Sequence, residues 1–316
     1  MQSFRNALKF FCLALLSFVF VAACYNSEPT VSPPIPDNGK LVTHALGETV
    51  VPLNPQRVVV LTSNALDNSL ALGIKPVGSS FSGFAQRDGY GNFPAYLQDK
   101  TEGITNVGHA DSPSLEKILA LKPDLILGSK QTHQAISKQL SQIAPTVLTE
   151  YPSEKNLFLH GEALGKIQQA EKLRQELDNR FQEFQQQMGE KLATTEVSVL
   201  RFRPYRVRLY MNESFAGYVL DRAGLQRPTA QDQNKSYQAI SIEAISAMDG
   251  DVIFYFQDNP ENSQSTKIMQ HPLWSQLEAV KKDRVYEISF DTWFLGNGIL
   301  ATNKAIDDLF QYLIKI

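Results

Sequence analysis

The chain has 316 residues, of which 43% are hydrophobic and 20% are charged, and its formal net charge is −3. This is the composition of an ordinary globular protein, and a weakly acidic chain without a long basic run argues against nucleic acid as a partner. About 275 residues follow the first forty, which is more than one comfortable core and predicts two lobes of ordinary domain size.

The first 23 residues have the pattern of an export signal. A charged start precedes an unbroken apolar run over residues 10–23, which at about 14 residues is too short for a membrane span of about 20. The ending VAAC, residues 21–24, resembles the lipobox of bacterial lipoproteins. The resemblance implies that Cys24 is lipidated and anchors the chain to a membrane at its periplasmic or extracytoplasmic face. An ordinary secretory peptide with a chance cysteine is the alternative.

The segment after the cysteine is predicted to be a flexible tether. Residues 25–40, YNSEPTVSPPIPDNGK, are rich in proline and polar residues and have no apolar period. Such a segment has little to bury and is expected to be extended.

The body of the chain contains the same order of strands and helices twice. Glu116 precedes Asp124 by eight residues, and Glu243 precedes Asp251 by eight. Strands that alternate with helices predict a mostly parallel sheet in each half, although chance similarity between α/β units is an alternative. The predicted elements are strand 57–61, helix 64–73, helix 112–121, strand 123–127, strand 196–202, helix 214–224, helix 241–248, strand 250–255 and strand 284–288.

A long amphipathic helix is predicted between the two halves. Apolar residues recur mostly every three or four positions from Leu157 to Leu192, with Gln, Glu, Lys and Arg between them. Residues 168–191 alone would make a helix about 36 Å long, and Gly165 is a candidate break. A short coiled coil is the alternative, but charges are not organised at the flanking positions. The predicted organisation is signal peptide 1–23, tether 24–40, N-terminal lobe 41–152, interlobe helix 153–192 and C-terminal lobe 193–316.

Five stretches together resemble the iron-siderophore, haem and cobalamin group of periplasmic binding proteins. The resemblance implies two Rossmann-like lobes with mostly parallel sheets, joined by a long helix, and a ligand cleft between the lobes. It also implies a monomer that is not an enzyme and has no cofactor, and that delivers its ligand to the permease dimer and ATPase of an ABC importer. The stretches are THALGETVVPLNPQRVVVL (43–62), LALGIKPVG (70–78), SLEKILALKPDLILGS (114–129), SIEAISAMDGDVIFY (241–255) and HPLWSQLEAVKKDRVYEI (271–288).

Two arginines and a tyrosine are the first candidate ligand contacts. Ligands of open parallel sheets bind beyond the carboxyl ends of the strands. Arg201 and Arg203 share one face at the end of strand 196–202, and Tyr205 follows them. Guanidinium groups suit carboxylate, catecholate or hydroxamate oxygens, and members of the group have similar arginines. Arg206 and Arg208 are instead assigned to an exposed hairpin strand, where only one of them need face a ligand.

Aromatic residues supply the remaining candidates. Trp293 follows strand 284–288, close to where the group has a cleft aromatic, and a place in the core is its alternative. In the first lobe, Phe84 and Arg87 lie in the segment after the second predicted strand. Loops of this kind also collect ordinary solvated residues.

Glu116 and Glu243 each stand early in a predicted helix. The helix dipole stabilises a carboxylate there, so a structural role is available. Their positions match two glutamates that contact the permease dimer in similar proteins, one on each lobe. The resemblance therefore implies that Glu116 and Glu243 dock the permease.

The expected ligand is a ferric siderophore, with hydroxamate or citrate-based chelates favoured. Haem and cobalamin are the rival ligands. Haem requires a strong axial His or Tyr, and a corrinoid pocket does not need a cationic pair, so the pair Arg201 and Arg203 favours an oxygen-chelated ferric complex. A ligand-sensing lipoprotein without a transport role is a further alternative. No G-x-S-x-G elbow, P-loop or G-x-G-x-x-G is present, and the five histidines lack ligand spacing, so neither catalysis nor a direct metal site is expected.

Overall fold

The computed structural model describes residues 36–81, 93–150, 153, 155–257 and 265–315. Asp37–Ile316 forms one compact unit. Cys24, Phe84 and Arg87 lie outside the described residues, as does most of the predicted tether. Within those described ranges no helix is both long and apolar enough to cross a membrane.

The first half of the chain forms a hairpin and a six-stranded sheet. Its strands are β1 Gly39–His44, β2 Gly47–Pro52, β3 Val58–Val60, β4 Gly78–Phe81, β5 Thr105–His109, β6 Ser112–Pro113, β7 Leu125–Ser129 and β8 Thr146–Thr149. The sheet order is β6-β5-β4-β3-β7-β8, and only the short β6 runs antiparallel to its neighbour. The central β3 consists of three buried valines, as a parallel strand covered on both faces requires. The β1–β2 hairpin was not predicted, and β1 begins two residues inside the predicted tether.

The second half forms a five-stranded mixed sheet. Its strands are β9 Val197–Phe202, β10 Val207–Tyr210, β11 Tyr237–Ile240, β12 Val252–Gln257 and β13 Val285–Glu287. The order is β11-β10-β9-β12-β13. Strands β9, β12 and β13 run parallel to one another, whereas β10 runs antiparallel to both of its neighbours, β9 and β11. The tight turn between β9 and β10 causes this reversal, because Arg203 N–H donates to the Arg206 carbonyl at 3.0 Å. The predicted α/β class with parallel-rich sheets is confirmed.

Helices surround both sheets in the described part of the chain. The α-helices are α1 Ser63–Ala71, α2 Gln98–Thr101, α3 Leu115–Ala120, α4 Lys130–His133, α5 Ser137–Ile143, α6 Asn156–Ala163, α7 Ile167–Met188, α8 Phe215–Ala223, α9 Ser265–Met269, α10 Glu278–Lys281 and α11 Ile299–Leu313. Tighter 3₁₀ turns occupy Ala95–Leu97, Gln134–Ile136, Gly189–Ala193, Ile242–Met248 and Trp274–Gln276, and a wider π turn occupies Asp291–Leu295.

The long helix α7 confirms the main prediction for the middle of the chain. At 22 residues it is about 33 Å long. Gly165, with φ of 70°, separates it from α6, and Gly189, with φ of 54°, ends it; both positions favour glycine because other residues are strained there. The helix packs against α6, α8 and α11, and Phe181 and Phe184 on its apolar face are buried. The lobe boundaries at residues 152 and 193 stay a prediction.

The repeated sequence pattern of the two halves has a physical basis at Asp124 and Asp251. The Asp124 carboxylate accepts the backbone N–H groups of Gln56 at 2.7 Å and Arg57 at 2.9 Å. The Asp251 carboxylate accepts the N–H of Glu196 at 3.1 Å. Each aspartate therefore fixes the chain just before the central strand of its sheet, β3 in the first half and β9 in the second. Buried or strand-starting N–H groups need such partners.

Candidate functional site

A cleft of about 620 Å³ opens beside β10. Its wall is built from β10, residues 212–215, residues 236–237 and residues 293–297, together with Ser153 and Lys155 just before α6. Pockets for small molecules commonly measure about 300 to 1,000 Å³ and combine apolar walls with a few polar groups. The cleft has the size and composition of a ligand site.

Arg201 lies behind the wall of this cleft. Its side chain is fully buried, and its guanidinium carbon lies 3.8 Å from the ring centre of Phe294 and 5.1 Å from that of Phe290. Its Nη1 donates to the hydroxyl oxygen of Tyr210 at 3.3 Å. Phe294 and Tyr210 both line the cleft, whereas Arg201 is not among the lining residues. In this geometry Arg201 supports two aromatic side chains that face the cleft.

Arg208 is the arginine that lines the cleft. It lies opposite Arg201 in the β9–β10 register, and its guanidinium carbon is 4.0 Å from the ring centre of Tyr237. Its Nε is buried and has no hydrogen-bond partner among the described residues. The hairpin strand predicted for this position is present, but Arg208 is half-buried against Tyr237 rather than exposed. Arg206 precedes β10 and is exposed, so only Arg208 of the two lines the cleft.

Arg203 and Tyr205 lie on the turn between β9 and β10. Arg203 is half-buried, while Tyr205 is 89% exposed. Neither is among the residues that line the cleft. Their contact with a ligand stays a prediction, as does that of Phe84 and Arg87, which lie outside the described residues.

Trp293 lies both at the cleft wall and in the core, and its contact with a ligand stays a prediction. It lines the cleft and is also part of the core, with only 1% of its surface exposed. Its indole Nε1–H donates to the Asp308 carboxylate at 2.6 Å. Burial raises the pKa of Asp308 from its ordinary value. The indole is thus held in one orientation at the cleft wall.

Several cleft residues were not predicted from the sequence. Lys155 contributes a cation, Tyr237 an aromatic ring, and Asn297 a side-chain oxygen that is buried without a hydrogen-bond partner among the described residues. Lys155 follows no predicted strand, whereas Asn297 lies four residues after Trp293 in the segment that follows β13 and could have been selected with it. Tyr237 lies on β11, which the sequence pattern did not reveal.

Metal-binding side chains do not cluster in the described part of the chain. No group of three or more His, Cys, Asp or Glu is arranged there to hold a metal ion, and no histidine is among the residues that line the cleft. Burial lowers the pKa of His133, although its hydrogen bonds to the backbone of Ala110 and Ser129 oppose that shift.

Glu116 and Glu243 are both exposed near the start of a helix. Glu116 lies in the first turn of α3, whose N-cap Ser114 accepts the N–H of Lys117. Glu243 lies in the 3₁₀ turn Ile242–Met248. A hydrogen bond from the Ser241 side chain is the main cause that lowers the pKa of Glu243. The two carboxylates are accessible, one in each half, and their docking role stays a prediction.

Comparison with known proteins decides the family. Residues 58–292 match the family model described as periplasmic binding protein. The chain belongs to the periplasmic binding protein family. This confirms the resemblance noted in the sequence, and the family is one of substrate-binding proteins rather than a family of enzymes.

The relatives of this periplasmic binding protein carry consistent names. It is 34% identical to the probable siderophore-binding lipoprotein YfiY of Bacillus subtilis, over 95% of this chain and 96% of the relative. It is 33% identical to the achromobactin-binding periplasmic protein of Dickeya dadantii, over 81% and 85% of the two chains. Among solved structures, Staphylococcus aureus SirA complexed with staphyloferrin B superposes with a TM-score of 0.77 at 32% identity, covering 87% of this chain and 98% of SirA.

Proposed function

We propose that this protein is the substrate-binding component of an ABC importer and captures a ferric siderophore in the cleft beside β10. The observation that carries the proposal is Arg208, whose guanidinium stacks on Tyr237 in the cleft wall while its Nε has no partner among the described residues. Guanidinium donors are suited to carboxylate and hydroxamate oxygens. Hydroxamate and citrate-based chelates are therefore favoured.

The relatives support the same ligand class. One relative is named for siderophore binding and another for achromobactin binding, and SirA has been solved in complex with staphyloferrin B. Arg201, Arg203, Tyr205, Trp293, Phe84 and Arg87 remain the proposed ligand-binding set from the sequence. Lys155 adds a second cation to the cleft, which favours an anionic chelate.

Haem or cobalamin is the second candidate ligand. Haem is usually held by an axial histidine or tyrosine. No histidine lines the part of the cleft that the structure describes; three tyrosines do, of which Tyr210 accepts a hydrogen bond from Arg201 and Tyr237 stacks on Arg208 while the third is Tyr218. These observations favour a ferric chelate whose iron is already fully coordinated by its own oxygens.

The transport role brings further proposals. Glu116 and Glu243 would contact the permease dimer, and lipid on Cys24 would anchor the monomeric protein to a membrane at its periplasmic or extracytoplasmic face. Charge pairs at an exposed surface contribute only about 0 to 1 kcal/mol each, so their use would be orientation of the complex. The protein would need no cofactor and would not act as an enzyme. A ligand-sensing role without transport is the alternative.

Tryptophan fluorescence tests the ligand. The purified protein is titrated with ferric staphyloferrin B, ferric achromobactin, ferric citrate, a ferric trihydroxamate and a ferric triscatecholate, with haem and cobalamin as controls. Saturable one-to-one quenching by a ferric chelate is expected. The Trp293→Phe variant should lose most of the quenching, whereas Trp274→Phe, a core tryptophan outside the cleft lining, should keep it. A response only to haem or cobalamin, or to none of these compounds, would overturn the siderophore proposal.

A further inference from the structure

The final helix of the chain receives its N-terminal cap from the first half. The first N–H groups of any helix have no partner within the helix itself, and the N-cap residue of α11, Gly298, has no side chain to supply one. The Asp67 carboxylate accepts the N–H groups of Leu300 at 2.8 Å and Ala301 at 3.0 Å. Asn68 Oδ1 accepts the N–H of Ile299 at 3.1 Å.

The same turn of α1 also holds the segment before the helix. Asn64 Nδ2 donates to the backbone carbonyl of Asn297 at 2.5 Å. Asn64, Asp67 and Asn68, here named the α1 cap, have at most 1% of their surface exposed. A methyl group at position 298 would overlap the Asp67 carboxylate, so the glycine permits this close approach.

Neighbouring side chains fix the α1 cap in turn. The Tyr96 hydroxyl donates to Asp67 at 2.9 Å, and the Asn68 amide nitrogen lies 3.1 Å from His160 Nδ1. Close by, the Ala95 N–H donates to the Asp291 carboxylate at 2.5 Å. Five hydrogen bonds between described residues thus tie the segment 291–301 to the first half of the chain.

That segment is also part of the cleft. Trp293, Phe294, Gly296 and Asn297 all line it. We propose that Asp67 is a positioning residue of the ligand site, which holds the cleft wall from Phe294 to Asn297 in place through the cap on α11. The inference rests on the proposed use of this cleft. It assigns to a buried carboxylate that does not line the cleft a role in ligand affinity.

An ionised carboxylate at this position suits the role for electrostatic reasons. A helix N-terminus favours negative charge, and an ionised carboxylate offers acceptors only. Burial raises the pKa of Asp67 to about 6 against the opposing effect of its hydrogen bonds. The groups that face it are Tyr96, the N-terminal N–H groups of α11, Asp291 beyond Tyr96, and His160 beyond Asn68. In the ionised form both N–H groups of α11 have a carboxylate oxygen to donate to.

The test compares Asp67→Asn with Asp124→Asn. Both wild-type carboxylates accept two backbone N–H groups, but Asp124 holds the beginning of β3, away from the cleft. Amide hydrogen exchange is measured on the purified full chains without ligand, and affinity for ferric staphyloferrin B and ferric achromobactin is measured well below the melting temperature of every variant.

In Asp67→Asn we expect exchange at Leu300, Ala301 and Gly296 to accelerate at least tenfold and affinity to fall at least fivefold. Asp124→Asn should leave both unchanged. Unchanged exchange in Asp67→Asn, or faster exchange with full affinity, would overturn the proposal. If the wild-type chain binds none of the ferric chelates used in the fluorescence titration, the proposed function fails, while the exchange rates still decide whether Asp67 holds the cleft wall.

Discussion

Arg201 and Arg208 lie directly opposite each other on β9 and β10, yet their guanidinium groups rest on different aromatic rings. Like charges at opposite positions of an antiparallel pair are normally unfavourable. The faces of Phe294 and Tyr237 offset this repulsion, since each attracts a cation by about 0.5 to 2 kcal/mol. The result is one buried arginine and one that lines the cleft.

Replacing Arg208 by alanine should weaken the binding of ferric staphyloferrin B by tenfold or more. A hydrogen bond to a charged group contributes about 1.5 to 3 kcal/mol, and 1.4 kcal/mol corresponds to about tenfold in affinity. The matched control is Arg206→Ala, because Arg206 is exposed on the same hairpin. Isothermal titration calorimetry measures both variants, and equal affinities for the two would remove Arg208 from the site.

The double change of Arg201 and Arg203 to alanine should also weaken binding more than tenfold. Loss of Arg201 should weaken binding in two ways. It removes the support of Phe294, and it leaves the Tyr210 hydroxyl without the hydrogen bond that Arg201 donates. The single variants separate the contributions. Arg201→Ala should lower both the melting temperature and affinity, whereas Arg203→Ala should leave the melting temperature nearly unchanged. Undiminished affinity in the double variant would contradict a role for either side chain.

Changing Glu116 or Glu243 to arginine should spare ligand binding and impair uptake. Both side chains are exposed and lie outside the cleft lining, so the fluorescence titration should give the wild-type affinity. Transport of the radiolabelled ferric chelate into cells should fall several-fold, because a positive charge would then replace a carboxylate at a proposed permease contact. Glu190→Arg, at another exposed position, is the control. Normal uptake by both docking variants would refute the assignment.

Stability should respond to pH through two buried groups with opposite effects. Burial raises the pKa of Asp67 from 3.8 to about 6 and lowers the pKa of His160 from 6.5 to about 4. Between about pH 6 and pH 4 the folded protein keeps a proton on Asp67 that the unfolded chain has released, and lacks one on His160 that the unfolded chain has bound. As the pH falls through this window, Asp67 adds stability and His160 removes it.

The variants Asp67→Asn and His160→Gln should therefore shift the pH profile in opposite directions. Relative to the wild-type protein, the free energy of unfolding of Asp67→Asn should fall by about 2 to 3 kcal/mol more between pH 7 and pH 4, and that of His160→Gln should fall by a similar amount less. Urea unfolding at each pH unit gives the values. Parallel profiles for all three proteins would show that neither group titrates in this window.

The sequence predicted the elements whose signal is local. The predicted ends of strand 196–202 and helix 168–191 lie within three residues of the ends of β9 and α7. Both predictions succeeded because an apolar run and a helical period can be recognised from neighbouring residues alone. The hairpin β1–β2 was missed, since its burial alternates only weakly. Residues 241–248 form a kinked 3₁₀ turn rather than a regular helix, a difference that the apolar period does not encode.

The site was harder to predict because its residues are brought together by strand direction and by distant contacts. Position after a parallel strand indicated Arg201 and Arg203, but the chain reverses into the antiparallel β10, so Arg208 lines the cleft instead. Trp293 follows β13 and lines the cleft, and its contact with a ligand stays a prediction. No sequence pattern around Asp67 predicts its hydrogen bonds with Leu300 and Ala301.

Asp67 and Leu300 are 233 residues apart in the chain, so the cap on α11 closes one of the longest loops that this protein contains. Contacts between residues so distant in sequence form slowly, since the entropy of loop closure must be lost before the contact gains anything. Both α1 in the first half and α11 must have formed before the cap can support the cleft wall. Ligand capture in this cleft therefore depends on a contact between α1 and α11, and a protein shortened before α11 would lose that contact together with the buried face of the helix.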